Sequence, residues 1–434
     1  MKKIFLLLTI LHFSHSKAQL NFTLDTIDKP RREVFLKDFE LSNEQFIEEL
    51  SNKYNGKRSK MLKKNLEEFQ KEFALEIKER NFLFDERFQK KATEILEHFK
   101  ETNSEVPKYT KILVSKNPSL NAYCLPNGTF VINMGLFYWL NNEDQVAGII
   151  AHEISHKILE HSIKTQLKSI DDELSSKNKD EVRQIKKQKY NKSEKAFNLF
   201  KNKLYARGDI RKKHEYEADS LGYVLLKNTK FNKLDYIGTL RLMEKYDTIK
   251  PNTISKDIYK KLYNIENQLF NENWMKLDDF SMYDYSQYKE KMNKDSLSSH
   301  PETNDRIARL EKIFPELKNT KSNQPTPEFI ELEKLASYNI VPNLMFFEEY
   351  GLCIYICMGK LQKEKITEED KKYYQKLFGQ NFQKIYKARK EYTLNRYLDR
   401  VEPKEQNDSY IQFLSFMWNL NLNEIKNIAD FYSK

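Results

Sequence analysis

The chain of 434 residues has only three cysteines, Cys124, Cys353 and Cys357, and that shortage excludes a fold held by a disulfide framework. Stability must come from apolar burial, which 39% apolar and 13% aromatic content can supply over a chain long enough for two or three domains. Long hydrophobic runs are missing too. The most apolar internal stretch, "YGLCIYICMG", follows Glu348 and Glu349 and falls well short of the ~20 residues that a bilayer span needs. Cys353 and Cys357 lie one helical turn apart within it and read as buried thiols. Nor does one sign of charge dominate. The 74 basic and 64 acidic residues are interspersed, so the net charge of +10 reads as a solubility feature. With no Arg-rich patch carrying interleaved aromatics, a nucleic-acid partner is not expected.

What is present begins with "MKKIFLLLTILHFSHSKAQ": two lysines, an apolar run from Ile4 to Phe13, and small residues at Ser16 and Ala18. This is the pattern of a secretory signal over residues 1–18, cut before Gln19. It predicts an exported protein of the periplasm or cell envelope, with secretion or an uncleaved anchor as alternatives. No cysteine follows the cut to carry a lipid, and no transmembrane span is expected in the mature chain, which leaves peripheral membrane association open.

Residues 19–60 form a polar lead and a first helix, with a turn at Asn55 and Gly56. The segment 61–315 is expected to be the main domain. In it, "YTKILVS" alternates as a strand does, and a turn at Pro126, Asn127 and Gly128 precedes a β-rich run from Thr129. Residues 164–212 read as a charged, solvated helical insertion, 316–326 as a linker, and 327–434 as a helical C-terminal region broken near Pro342, Lys365 and Pro403. The expected class is mainly helical α+β, with a small sheet beside the helix that follows Asn142.

That helix contains "GIIAHEISHKILEH", residues 148–161. Residues four apart on a helix share a face, so His152 and His156 can aim at one ion while Glu153 reaches a water beside it. Unpaired imidazoles in so apolar a helix would be costly, which favours a metal. Of the six histidines left after processing, five fall in this helix and two later segments. Glu160 lies ~12 Å along the axis from His152 and cannot join one tetrahedral centre. A third ligand must therefore come from another helix. "HEYEADSLG" offers His214, Glu215, Glu217 and Asp219. Glu215 shares its face with Ala218, Asp219 and Gly222, small neighbours that permit close helix approach. Asp219 can accept from a ligating imidazole. Glu217 lies more than half a turn round and is expected to face solvent.

The segments "NAYCLPNGTFVINMGL", "AHEISH", "HEYEAD" and "SSHPETNDRI", in that order over about residues 60–315, resemble the HtpX-like, BepA-like and CAAX-prenyl-protease group of gluzincins, peptidase family M48. The resemblance implies a zinc metalloendopeptidase with one Zn2+ per chain, held by His152, His156 and Glu215. Glu153 would be the general base and Asp219 an outer partner of a ligand. His300 and Arg306 would lie near the active site, the histidine approaching the metal, or either of the two offsetting charge on the tetrahedral oxygen; a helix-start cap around Pro301 is the alternative for this segment. Thr129, Phe130, Val131 and Ile132 would form an edge strand on which an unfolded or extended protein or peptide substrate pairs its backbone. The family's transmembrane segments are missing, and the 164–212 insertion is long. Envelope protein quality control is the expected setting. A zinc-stabilised chaperone or adaptor that binds unfolded segments with little cleavage is the competing reading, and an intact Glu153 speaks for the enzyme.

Overall fold

The structure is a computed structural model of the chain and describes residues 22–433 apart from 23, 26, 188–191, 249–252, 278–301 and 403–405. The expected signal segment, the break at Pro403, Pro301 and His300 lie outside the described residues.

The fold is mainly helical with one small sheet. Two long helices open it, α1 (Lys29–Asn52) and α2 (Gly56–Lys78), joined where Gly56 adopts φ +62°. After β1 (Phe82–Leu83) and α3 (Glu86–Thr102) come β2 (Lys111–Ser115), β3 (Ala122–Cys124) and β4 (Thr129–Asn133). The four strands lie in the order β1-β2-β4-β3, with β2 parallel to β4 and β3 antiparallel to it. Gly128, at φ +87°, closes the β3–β4 hairpin where an added Cβ would press on Tyr109 and Thr110. This is the left-handed region that favours glycine.

The strands' two-residue period sorts their side chains onto two cores. Ile112, Val114, Phe130 and Ile132 join Phe88 and Phe99 of α3 on one face. Leu113 and Val131 face Phe39, Phe73 and Ile77 of α1 and α2 on the other. All five residues of β4 are buried and it has a strand on each side, so the expectation that Thr129, Phe130, Val131 and Ile132 form an edge is corrected. The edge on β4's side of the sheet is β3, which three residues could not announce in the sequence.

A short α4 (Gly135–Trp139) leads to α5 (Glu143–Ile158), and α6 (His161–Leu174), α7 (Ser176–Lys187) and α8 (Lys192–Lys227) follow. The described part of the charged insertion is thus mainly helical. Its first part is not merely solvated, since Ile163, Leu167 and Ile170 pack on Ile47, Leu62 and Leu66 of the opening hairpin. Its last part is continuous with the segment carrying Glu215, in one helix of 36 residues. Next come α9 (Tyr236–Thr248), α10 (Lys256–Tyr263) and α11 (Thr303–Ile313).

The C-terminal helices are α12 (Pro327–Phe346), α13 (Tyr350–Leu361), α14 (Glu368–Lys390), α15 (Asp408–Asn419) and α16 (Leu422–Tyr432). Pro342 does not break α12 as expected. A proline frees the carbonyl four residues back, and here the Tyr373 hydroxyl donates to that oxygen, of Tyr338, at 2.8 Å. One continuous apolar core runs from Leu83 and Phe99 through α5 to Phe329, Phe382 and Ile428. The stretch read as a linker is tied down: Asn142 Nδ2 donates to Ser322 Oγ and Asn323 Nδ2 donates to Asp144. Among the described residues, no helix is long and apolar enough to cross a membrane.

Candidate metal centre

Helix α5 forms because its ends and one broad apolar surface agree. The Asn142 side chain accepts from Gln145 N at 3.0 Å, and Glu143 and Asp144 occupy the first turn, where the helix dipole favours acids. Val146, Ala147, Ile150, Ala151 and Ile154 are fully buried against the sheet and α3. That burial orients His152, Glu153 and His156 toward α8 and β3. Glu160, a non-glycine residue at φ +53°, then turns the chain sharply into α6.

On α8, Glu215 and Asp219 are buried beside α5. The expected role of small neighbours holds: a Cβ on Gly222 would stand 3.2 Å from both Cα and N of His152 and 2.6 Å from the Tyr236 hydroxyl. The resulting approach brings three donors together. Nε2 of His152 and Nε2 of His156 are 3.0 Å apart, and the Glu215 carboxylate oxygens lie 3.4 Å from each. Tetrahedral ligands at ~2.0–2.1 Å from zinc stand about 3.4 Å from one another, so the two nitrogens and one carboxylate fit that ion in type and spacing.

Around these donors is a second tier. His152 Nδ1 lies 3.0 Å from Asp219 Oδ1. Arg306, on α11, donates through Nε at 2.8 Å and Nη2 at 2.6 Å to the two Asp219 oxygens, and Nη2 is 3.6 Å from Glu215. Burial alone would raise the Asp219 carboxyl, but the Arg306 guanidinium and His152 hold it below its ordinary value. Burial likewise opposes charge on His152, yet Asp219 and Glu215 hold that imidazole up to about 10. For His156, burial and then the charge on His152 push it down to about 3.

The other ring nitrogen of His156 was not anticipated to have a partner. Its Nδ1 is 3.0 Å from Nδ1 of His161, whose Nε2 is 3.2 Å from Glu217 Oε2. Glu217, expected in solvent, is thus engaged with a buried histidine. The stacked ring of His214 completes this group, its centroid 4.0 Å from that of His161. The crowding of scarce histidines into these segments was the available signal. The corner at Glu160 that folds His161 back was not legible.

A cavity of about 340 Å³ opens over the donors, lined by His152, Glu153, His156 and Glu215, by Tyr236 and Arg306, and by Asn121 to Cys124 of the β3 edge. Burial raises the Cys124 thiol well above its ordinary value, and the Glu153 charge adds to this. Burial similarly keeps the Tyr236 hydroxyl protonated, and among the described residues that oxygen has no hydrogen-bond partner.

The sequence model of peptidase family M48 matches residues 85–314, just over half of the chain. The chain is also similar to mitochondrial metalloendopeptidase OMA1 of Arabidopsis thaliana, 37% identical over 51 residues, which is 12% of this chain and 10% of that protein. Metalloendopeptidase OMA1, mitochondrial, of Bos taurus is 32% identical over 72 residues, 16% of this chain and 14% of that protein. The chain thus spans no more than about a seventh of the length of these curated relatives. The match extends from the cap of α3 to the end of α11 and takes in every residue of the centre described above, so this chain belongs to peptidase family M48.

Proposed function

We propose that the chain is an exported zinc-dependent metalloendopeptidase working on extended segments of protein substrates, in a setting such as envelope protein quality control. One observation carries the reading. Two imidazole nitrogens and a carboxylate stand at 3.0 and 3.4 Å spacings, with Glu153 lining the same cavity. His152, His156 and Glu215 would hold zinc, which when bound supplies Lewis-acid polarisation of water and of a carbonyl. The similarity to metalloendopeptidases named OMA1 supports the class of reaction. The amino-terminal lysines and apolar run support export.

Glu153 takes the proton of the attacking water and hands it to the departing amine. Asp219, fixed by Arg306, orients His152. Arg306 was expected to face the developing oxyanion, but its Nε and Nη2 form a two-point pair with Asp219, so we assign it to positioning. Tyr236, whose side chain lines the cavity and whose buried hydroxyl stays protonated, is assigned the oxyanion role instead. The substrate pairs with the β3 edge. Asn121 O and Leu125 N already bond to β4, so alternation turns the backbone groups of Ala122 and Cys124 toward the cavity.

The test is Glu153→Gln in the full chain. The variant keeps one zinc and loses cleavage of an unfolded protein, whereas His152→Ala loses the zinc. Equal cleavage by Glu153→Gln and the natural chain would refute the reading and favour a binding module.

A further inference from the structure

His161, His214 and Glu217 have no part in the mechanism above. Each offers a ligand atom, and these atoms lie within 4.8 Å of one another, the same two-histidine, one-carboxylate set as the first centre. His214 and Glu217 are three residues apart and share a face of α8, while His161 faces them from the start of α6. His161 is buried, and its Nε2 already points at Glu217 Oε2, 3.2 Å away.

We infer that His161, His214 and Glu217 form a second site for a divalent cation of the zinc class, weaker than the first and opposed to it. This rests on the reading of His152, His156 and Glu215 as the first site. Nitrogen and carboxylate donors suit zinc or cobalt better than magnesium or calcium. The weakness has two sources. The rings of His161 and His214 are nearly parallel, 9° apart, so their in-plane lone pairs do not converge until the half-exposed His214 swings. Lys213 Nζ also stands 3.7 Å from Glu217 Oε1 and competes for that carboxylate.

The opposition follows from one shared proton. When Nε2 of His156 is a ligand, that neutral ring carries its hydrogen on Nδ1, facing His161 Nδ1 at 3.0 Å. His161 must accept there, so its own hydrogen sits on Nε2, toward Glu217. A cation at His161 Nε2 displaces that hydrogen to Nδ1. Two N–H groups then face each other, and the contact must open. Filling either site weakens the other, and by linkage the penalty is mutual.

The experiment is equilibrium titration of the metal-stripped full chain with Zn2+ against a chromophoric chelator, and with Co2+ followed by its visible absorption. The natural chain should bind two ions, the second at least tenfold more weakly. His214→Ala, and independently Glu217→Gln, should keep only the tight one. His152→Ala should lose the tight ion and bind the remaining one several-fold more tightly than the natural chain's second. Combining His152→Ala with His214→Ala should abolish binding. One ion in the natural chain that His214→Ala leaves bound, or two in both His214→Ala and Glu217→Gln, would overturn the second site. Unchanged weak affinity in His152→Ala would overturn the opposition. Loss of the tight class from the natural chain, with a His214-dependent ion retained, would instead refute the first site.

Discussion

Replacing Arg306 by methionine tests whether the buried charges around the centre are a structural unit. The guanidinium and the Asp219 carboxylate are nearly fully buried, at 6% and 1% exposure, and joined by two short hydrogen bonds. Removing one partner of such a pair leaves a buried charge uncompensated and costs about 3–5 kcal/mol. For a cooperative unit of about 400 residues, with an unfolding entropy of ~2.1 cal/mol/K per residue, each kcal/mol shifts Tm by about 1.2 °C, so the midpoint should fall by about 4–6 °C. Calorimetry of the metal-stripped chains isolates this loss from any loss of zinc. Asp219→Asn should cost a similar amount, and the double variant less than the two losses added, because no lone charge remains. A loss below about 1 kcal/mol in Arg306→Met, or strict additivity, would mean that solvent relaxes around the pair and would refute the argument.

Tyr236→Phe should lower kcat by about 10²–10³ without altering zinc affinity, as removal of an oxyanion donor does; equal kcat would remove Tyr236 from the reaction. Lys360 lies buried in α13 beside Ser337, and burial, with Lys363 adding to it, pushes its ammonium down to about 8. Between there and its ordinary value of 10.5 the unfolded chain holds the extra proton, so this lysine makes stability rise with pH over that window. Lys360→Met should therefore gain about 2–3 kcal/mol at pH 7 in denaturant titrations, a gain that shrinks toward pH 10.5. Gly222→Ala should gain nothing from helix propensity. Its Cβ would force α8 away from His152, costing about 1–3 kcal/mol and loosening zinc in a chelator competition. Chelation of the loaded protein should lower Tm reversibly, by about 4 kcal/mol of stabilisation when free zinc stands a thousandfold above its Kd.

The sequence reveals α5 and its donors because every local signal agrees there: cap, charge order, apolar spacing and two histidines four apart. Glu215 was legible through its small neighbours, since only such residues let two backbones come so close. The sheet order was not. Pairing β2 with β4 across the intervening β3 depends on contacts far apart in sequence, and three residues of β3 are too few to show alternation. His161 escaped because its position depends on a left-handed turn at Glu160, where glycine or asparagine would have been the marker. The length of α8 escaped because the charged residues just before His214 look like a place to end a helix, whereas one helix runs through them from Lys192 to Lys227.

The apolar interior shared by the sheet, α5 and the helices after residue 326 bears on how this protein can be dissected. Phe137 packs on Phe329, Asn343 Nδ2 donates to the Lys116 carbonyl, and Trp274 Nε1 donates to Glu424. A truncation that stops after α11 strips one wall from the half that carries the candidate metal centre and leaves its aromatics wet. The final hundred residues should therefore melt with the rest, and a fragment lacking them should be a poor surrogate for the whole.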